Sequence, residues 1–173
     1  MGSKSALGDI IDIIPAIAPL DLQTARDGDW VSLRNAAHLT AVLFKGVGTD
    51  NDDPSISFQQ ASDVAGTGAK ALTQIDEYWE KEALTDLTGT GVWTRVAQTI
   101  SATVAPGDPS AQSAAMYVFE IDTDTLDVAN GFDCVRIRVA DTGTNAQLGA
   151  AVYILSGLRY KQAPQNLPNS IID

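Results

Sequence analysis

His38 and Cys134 are the only histidine and the only cysteine in the chain, so the usual inventory for acid–base, nucleophilic and soft-metal chemistry is short. One histidine excludes a two-histidine metal site. One cysteine excludes an intrachain disulfide and a cysteine-based metal cluster. A nucleophilic triad needs a serine or cysteine beside the histidine and an acid behind it. No Gly-x-Ser-x-Gly elbow occurs, and Cys134 falls within a strand pattern, where a small buried thiol is ordinary. His38 therefore reads as a packed or surface histidine, and no catalytic residue is assigned.

Two acidic clusters offer hard oxygen ligands. Asp50, Asp52 and Asp53 form one, and Asp122, Asp124 and Asp127 the other. Both lack the glycine and glutamate that an EF-hand frame requires. A solvated acidic loop is the plainer account of each, and Asp50, Asp52 and Asp53 are kept as metal-ligand candidates. Gly66-Thr67-Gly68-Ala69-Lys70-Ala71 superficially matches a dinucleotide fingerprint, but no βαβ pattern surrounds it, so it reads as a glycine-rich hairpin turn. Carboxylates paired for glycoside hydrolysis meet only in three dimensions. Aromatic residues make up 6% of the chain, few for a sugar-stacking cleft, and Trp30, Trp79 and Trp93 read as core or interface anchors. The expectation is a protein that is not an enzyme and carries no cofactor.

Charge narrows the partners. The 173 residues hold 22 acidic and 11 basic side chains, a net charge of −11. Such a field repels phosphate, and the lysines and arginines are scattered, with Arg136 and Arg138 the nearest approach to a basic pair. Neither nucleic acid nor an anionic membrane is expected as a partner. The apolar run from Ile10 to Leu20 is interrupted by Asp12 and broken by Pro15 and Pro19, so it is expected to be neither a signal peptide nor a membrane span.

The elements that must position these residues are strands. Period-two alternation recurs between glycine, proline and aspartate turns at short spacing. Asp29–Arg34, Ser55–Ala61, Val92–Ile100, Met116–Ile121 and Val135–Val139 alternate, whereas Leu39–Lys45 and Leu148–Leu155 are apolar on both faces, as buried strands are. Residues 75–81 fit a helical or a two-residue period, and the neighbouring strands favour strand. The predicted fold is an all-β, jelly-roll-like antiparallel β-sandwich with an extended N-terminal arm. Residues 1–28 form the arm, 29–161 the sandwich and 162–173 a surface tail. The arm either tucks onto its own domain or lies on a neighbouring subunit.

Four stretches taken together resemble a family: 30–35, 63–72, 127–135 and 140–149, the last reading Ala140-Asp141-Thr142-Gly143-Thr144-Asn145-Ala146-Gln147-Leu148-Gly149. The family is one of tailed-bacteriophage and prophage virion proteins similar to head decoration, or cement, proteins. The likeness covers residues 9–160 and rests on phrases spread along the chain. It implies a homotrimer on the outer surface of the head, bound to the major capsid protein and stabilising the shell. The apolar N-terminal segment, with Ile10, Ile11, Ile13, Ile14, Ile17 and Leu20, is then the expected capsid or subunit contact. A tail or neck adaptor, or fibre-associated protein, is the alternative within the same particle, and a carbohydrate-binding β-sandwich the alternative of another class.

Overall fold

The computed structural model describes residues 7–50, 52–82, 92–106, 113–140 and 143–171. The expected turns at 88–91, 107–109 and 141–142 lie outside the described residues. The alternating segments form twelve strands among those described: β1 (Ile11–Asp21), β2 (Arg26–Asp27), β3 (Val31–Ser32), β4 (His38–Lys45), β5 (Ile56–Ala61), β6 (Lys70–Ala71), β7 (Ile75–Lys81), β8 (Thr94–Ser101), β9 (Thr103–Val104), β10 (Ala115–Asp122), β11 (Cys134–Val139) and β12 (Leu148–Ser156).

Two antiparallel sheets result. The large sheet runs β1-β12-β4-β10-β7-β8; the second runs β2-β11-β5-β6, with β3 also on β11 and β9 also on β5. The pairings are nested: β1 with β12, β2 and β3 with β11, β4 with β10, β5 with β6 and β9. That nesting, a folded-over hairpin wrapped into two sheets, is the jelly roll. The β7–β8 hairpin extends the large sheet beyond β10.

The core lies between the sheets. Leu39, Ala41 and Leu43 of β4, Phe119 and Ile121 of β10, and Tyr153 and Leu155 of β12 face Ile56 and Phe58 of β5 and Ile137 and Val139 of β11, all buried. Each leucine, isoleucine, valine or phenylalanine among them contributes about 1.5–3 kcal/mol on leaving water. Phe58 and Phe119 cross the gap edge-to-face, their centroids 5.1 Å apart. Trp30, Ala61 and Cys134 form a second buried cluster, with the Arg136 guanidinium 4.7 Å above the Trp30 ring. Lys45 is fully buried. Its ammonium donates to the Ser113 carbonyl at 2.6 Å, and burial pushes its pKa down to about 8.

Two boundaries expected from the sequence change. Residues 11–21 are not a separate arm: β1 pairs with β12 from Ile11 opposite Ser156 to Asp21 opposite Leu148. Pro15 and Pro19 permit this because β1 is an edge strand, where a missing N–H costs no ladder bond, and the register shifts at irregularities on either side of Ile17. β2 then joins the opposite sheet, so residues 11–27 belong to the sandwich. The tail also folds back. The Ser32 amide donates to the Ser170 carbonyl at 2.6 Å, and Leu167 and Ile171 pack on the core.

Candidate functional site

Alternation gives each sheet an inner and an outer face, and the two outer faces differ in kind. On the second sheet the outward residues of β5 and β11 are Ser57, Gln59, Arg136 and Arg138. Arg136 donates to Gln59 Oε1 at 2.8 Å, and both arginines lie 3.1 Å from Asp27. That face is polar and paired.

The outer face of the large sheet is apolar. Cross-strand register lays Pro15, Val152, Val42, Val118, Trp79 and Arg95 in one row across all six strands. Beside it runs Ala150, Phe44, Met116 and Lys81. On the other side run Ile13, Ile154, Thr40 and Glu120, followed by Ile11, Ser156, His38 and Asp122. Leu148 is 67% exposed, Ile13 47%, Phe44 42% and Trp79 38%. Two hollows flank the centre. One of about 320 Å³ is lined by Trp79, Trp93, Val118 and Glu120. The other, of about 380 Å³, is lined by Pro19, Leu20, Phe44, Gly46, Leu148, Gly149 and Ala150.

Charges sit at the margins of this face and are internally matched. Arg95 pairs with Glu77, and the Lys81 ammonium lies 5.0 Å from the Trp93 ring centre. His38 lies between two carboxylates, Nδ1 2.6 Å from Asp122 Oδ1 and Nε2 2.5 Å from Glu120 Oε2. Thr40 Oγ1 donates to the same Glu120 oxygen at 2.7 Å. Carboxylates only accept, so this geometry calls for the doubly protonated imidazolium. Burial works against that charge, but the hydrogen bonds to Asp122 and Glu120, reinforced by their charges, hold the pKa above the ordinary histidine value.

The sign follows from linkage. A raised folded pKa gives stability that is complete below the unfolded value of ~6.5 and lost as pH rises through the folded value. The melting temperature is expected to fall over that window by the equivalent of under about 1 kcal/mol, since the side chains are partly exposed. His38→Gln should flatten that slope. Parallel wild-type and variant profiles would show that the imidazolium is not formed.

The residues singled out in the sequence fall in several places. Ile10 is 60% exposed just before β1, and Ile13 stands on the apolar outer face opposite Ile154. Ile11 and Leu20 are half-buried. Ile14 and Ile17 are buried in this chain's own core, so they are not contact residues for a partner. Asp50, Asp52 and Asp53 are not grouped so as to hold a metal ion. Asp52 is buried and clamps the loop before β12, accepting from the Asn145 side chain at 2.7 Å and from the Asn145 amide at 3.2 Å. Asp122 turns to His38, while Asp127 accepts from Lys70 at 2.5 Å and from Asn130 at 2.8 Å. Among the described residues no group of three or more His, Cys, Asp or Glu is placed to hold a metal ion. Gly66 and Gly68, at φ +82° and +67°, form the β5–β6 turn. There Asp63 Oδ1 accepts from the Ala65 and Thr67 amides.

Sequence reasoning missed the outer-face residues Val42, Phe44, Met116, Val118, Val152 and Ile154. The signal was present in β4 and β12, which are apolar on both faces. A strand in a two-layer sandwich has one face on the shared core, so a second apolar face is surplus to it.

No protein-family model and no curated protein matches the chain. Among solved structures, a chain from the structure of infectious bursal disease virus Gt strain is similar over 91% of this chain and 44% of its own length. The identity is 10% and the TM-score 0.26. This chain thus spans under half the length of that one.

Proposed function

We propose that this chain is a structural virion protein, not an enzyme, that decorates the outer surface of a phage head as a homotrimer and stabilises the shell by binding the major capsid protein. The observation that carries it is the apolar outer face of the large sheet, whose matched charges stand only at its edges. Such a face is built to be covered by protein. The spread-out likeness to head decoration proteins supplies the particle. A ligand that prefers the expanded lattice stabilises it by mass action, and a trimer spanning several shell subunits turns weak contacts into avidity.

Co-sedimentation with purified heads tests this. The protein is expected to pellet with expanded heads in many copies per particle and to stay in solution with unexpanded proheads. Ile10→Asp, at an exposed site outside β1, is expected to weaken attachment about tenfold, the loss of one apolar anchor. Absence of binding to expanded heads would refute the proposal, and labelling confined to a single vertex or the tail would favour the adaptor. A robust glycan-array signal with no head binding would favour the carbohydrate-binding alternative.

A further inference from the structure

We infer that Trp79, at the β7–β8 end of the outer face of the large sheet, is a receptor for an arginine side chain of the protein docked on that face. The inference rests on the assembly role proposed above and names the chemistry of the partner.

The chain carries a filled version of such a receptor on its other sheet. There the Arg136 guanidinium lies 4.7 Å from the Trp30 ring centre, donates to Gln59 Oε1 at 2.8 Å and stands 3.1 Å from an Asp27 carboxylate oxygen. An indole face, an amide oxygen and a carboxylate together hold one guanidinium, by cation–π attraction, charge and directed hydrogen bonds. Trp93 likewise has the Lys81 ammonium 5.0 Å from its ring centre. Of the three tryptophans, Trp79 alone has no cation over its ring among the described residues. Arg95 is its cross-strand partner but pairs with Glu77.

The same three kinds of group surround Trp79. Its side chain is 38% exposed and lines two hollows of about 320 Å³ each. Trp93 and Val118 line the first, Gln74, Asp76 and Glu77 the second, and Glu120 reaches both. Arg95 matches Glu77 and His38 matches Glu120, while Asp76 adds a negative charge beyond those pairs. The excess attracts a cation and repels an anionic ligand. An apolar side chain laid there would take water from the carboxylates without replacing its hydrogen bonds. Arginine suits the site better than lysine, because a planar guanidinium stacks on an indole while its edge forks to a carboxylate. Tryptophan and arginine are also the residues enriched where interfaces concentrate their binding energy.

The test titrates the full, isotope-labelled chain with Nα-acetylarginine amide and follows the Trp79 indole N–H and the amides of residues 76–79 by NMR. A saturable shift is expected, with a dissociation constant of about 1–10 mM for this single side chain, weakened severalfold at high salt. The Trp30 indole, already covered by Arg136, is expected not to move. Nα-acetylcitrulline amide, the neutral isostere, is expected to bind at least about fivefold more weakly. Trp79→Leu and Asp76→Asn are each expected to weaken arginine binding about threefold or more. Asp76 is exposed, so its variant decides the matter should Trp79→Leu fail to fold. Equal binding of the citrulline analogue, or arginine binding that neither substitution disturbs, overturns the inference. So does a shift with methyl glucoside but not with arginine, which would make the hollow a sugar site. A shift on raising the protein concentration alone, with no response to arginine, also overturns it and seats a second copy there. No response to arginine from a protein that pellets with expanded heads overturns it while leaving the proposed function standing. Specific arginine binding by a protein that ignores heads supports it and removes that function.

Discussion

Phe119→Ala is expected to lower the free energy of unfolding by about 3–5 kcal/mol, a large share of the 5–15 kcal/mol that a domain typically has. Phe119 is fully buried on the inner face of β10, a central strand of the large sheet. Its ring meets Phe58 of the opposite sheet edge-to-face at 5.1 Å and Tyr78 of β7 at 5.7 Å. Truncation would thus remove an aromatic contact that joins the two layers and another that holds the β7–β8 extension to the core. Side chains from both sheets meet at the ring, so the cavity cannot close by the shift of a single side chain. Phe44→Ala is the control. The same side chain is deleted from the outer face of β4, where Phe44 is 42% exposed, and the cost is expected to stay near or below ~1 kcal/mol. Urea midpoints at unchanged m-value measure both. Equal losses for the two would mean that inner and outer faces have been assigned wrongly.

The same inward–outward distinction explains what the sequence carried. Strict alternation in Val135–Val139, with Arg136 and Arg138 outward, marked a strand with one wet face, and β11 is such a strand. Residues 75–81 were ambiguous for a physical reason. Ile75 and Tyr78 are both buried although three apart, because a register shift lies between Ile75 and Glu77. An irregular strand imitates helical spacing. Pro15 and Pro19 ruled out a helix and left an extended arm, tucked onto its own domain or lying on a neighbour; an edge strand accepts proline, and sequence alone does not tell an edge from the middle. Asp52 was grouped with its neighbours by type, whereas its partner, Asn145, is brought to it only by the fold.

The apolar face was half visible. The doubly apolar patterns of β4 and β12 were evident, but a buried strand and a strand awaiting a partner give the same pattern. Only the placement of Val42 and Val152, half-buried with no second layer of described residues over them, separates the two. Trp79 was expected as a core or interface anchor, and its position on the outer row, opposite Val118 and Arg95, places it among the exposed groups. The contrast with the second sheet then acquires meaning. One chain, folded into two layers by the same alternation, leaves one outer face polar and the other apolar, so its two sides are suited to different neighbours.

Tyr153→Phe, which deletes one oxygen atom, is expected to cost about 1–3 kcal/mol. β2 and β3 both pair with β11, but the chain between them, Gly28 to Trp30, leaves the ladder opposite Ile137. The Gly28 amide still reaches the Ile137 carbonyl at 2.9 Å. The Ile137 amide instead donates to the Tyr153 hydroxyl at 2.8 Å, which comes from the inner face of the opposite sheet and itself donates to the Asp29 carbonyl at 3.1 Å. A hydroxyl thus fills the place of a missing strand residue and ties the two layers together. Burial drives the phenol's pKa upward, so it stays neutral and able to donate. The site admits no larger neighbour: a Cβ on Gly28 would stand 2.9 Å from the Ile137 oxygen and 3.0 Å from the Tyr153 hydroxyl. Phenylalanine fills the same volume, so no cavity forms. The loss comes from the Ile137 amide, left buried without an acceptor, and from the Asp29 carbonyl, left without its donor. Chemical denaturation measures the cost, and hydrogen exchange locates it, since the Ile137 amide should lose protection beyond the global change. If stability and Ile137 exchange both matched the wild type, the hydroxyl bridge between the sheets would not exist.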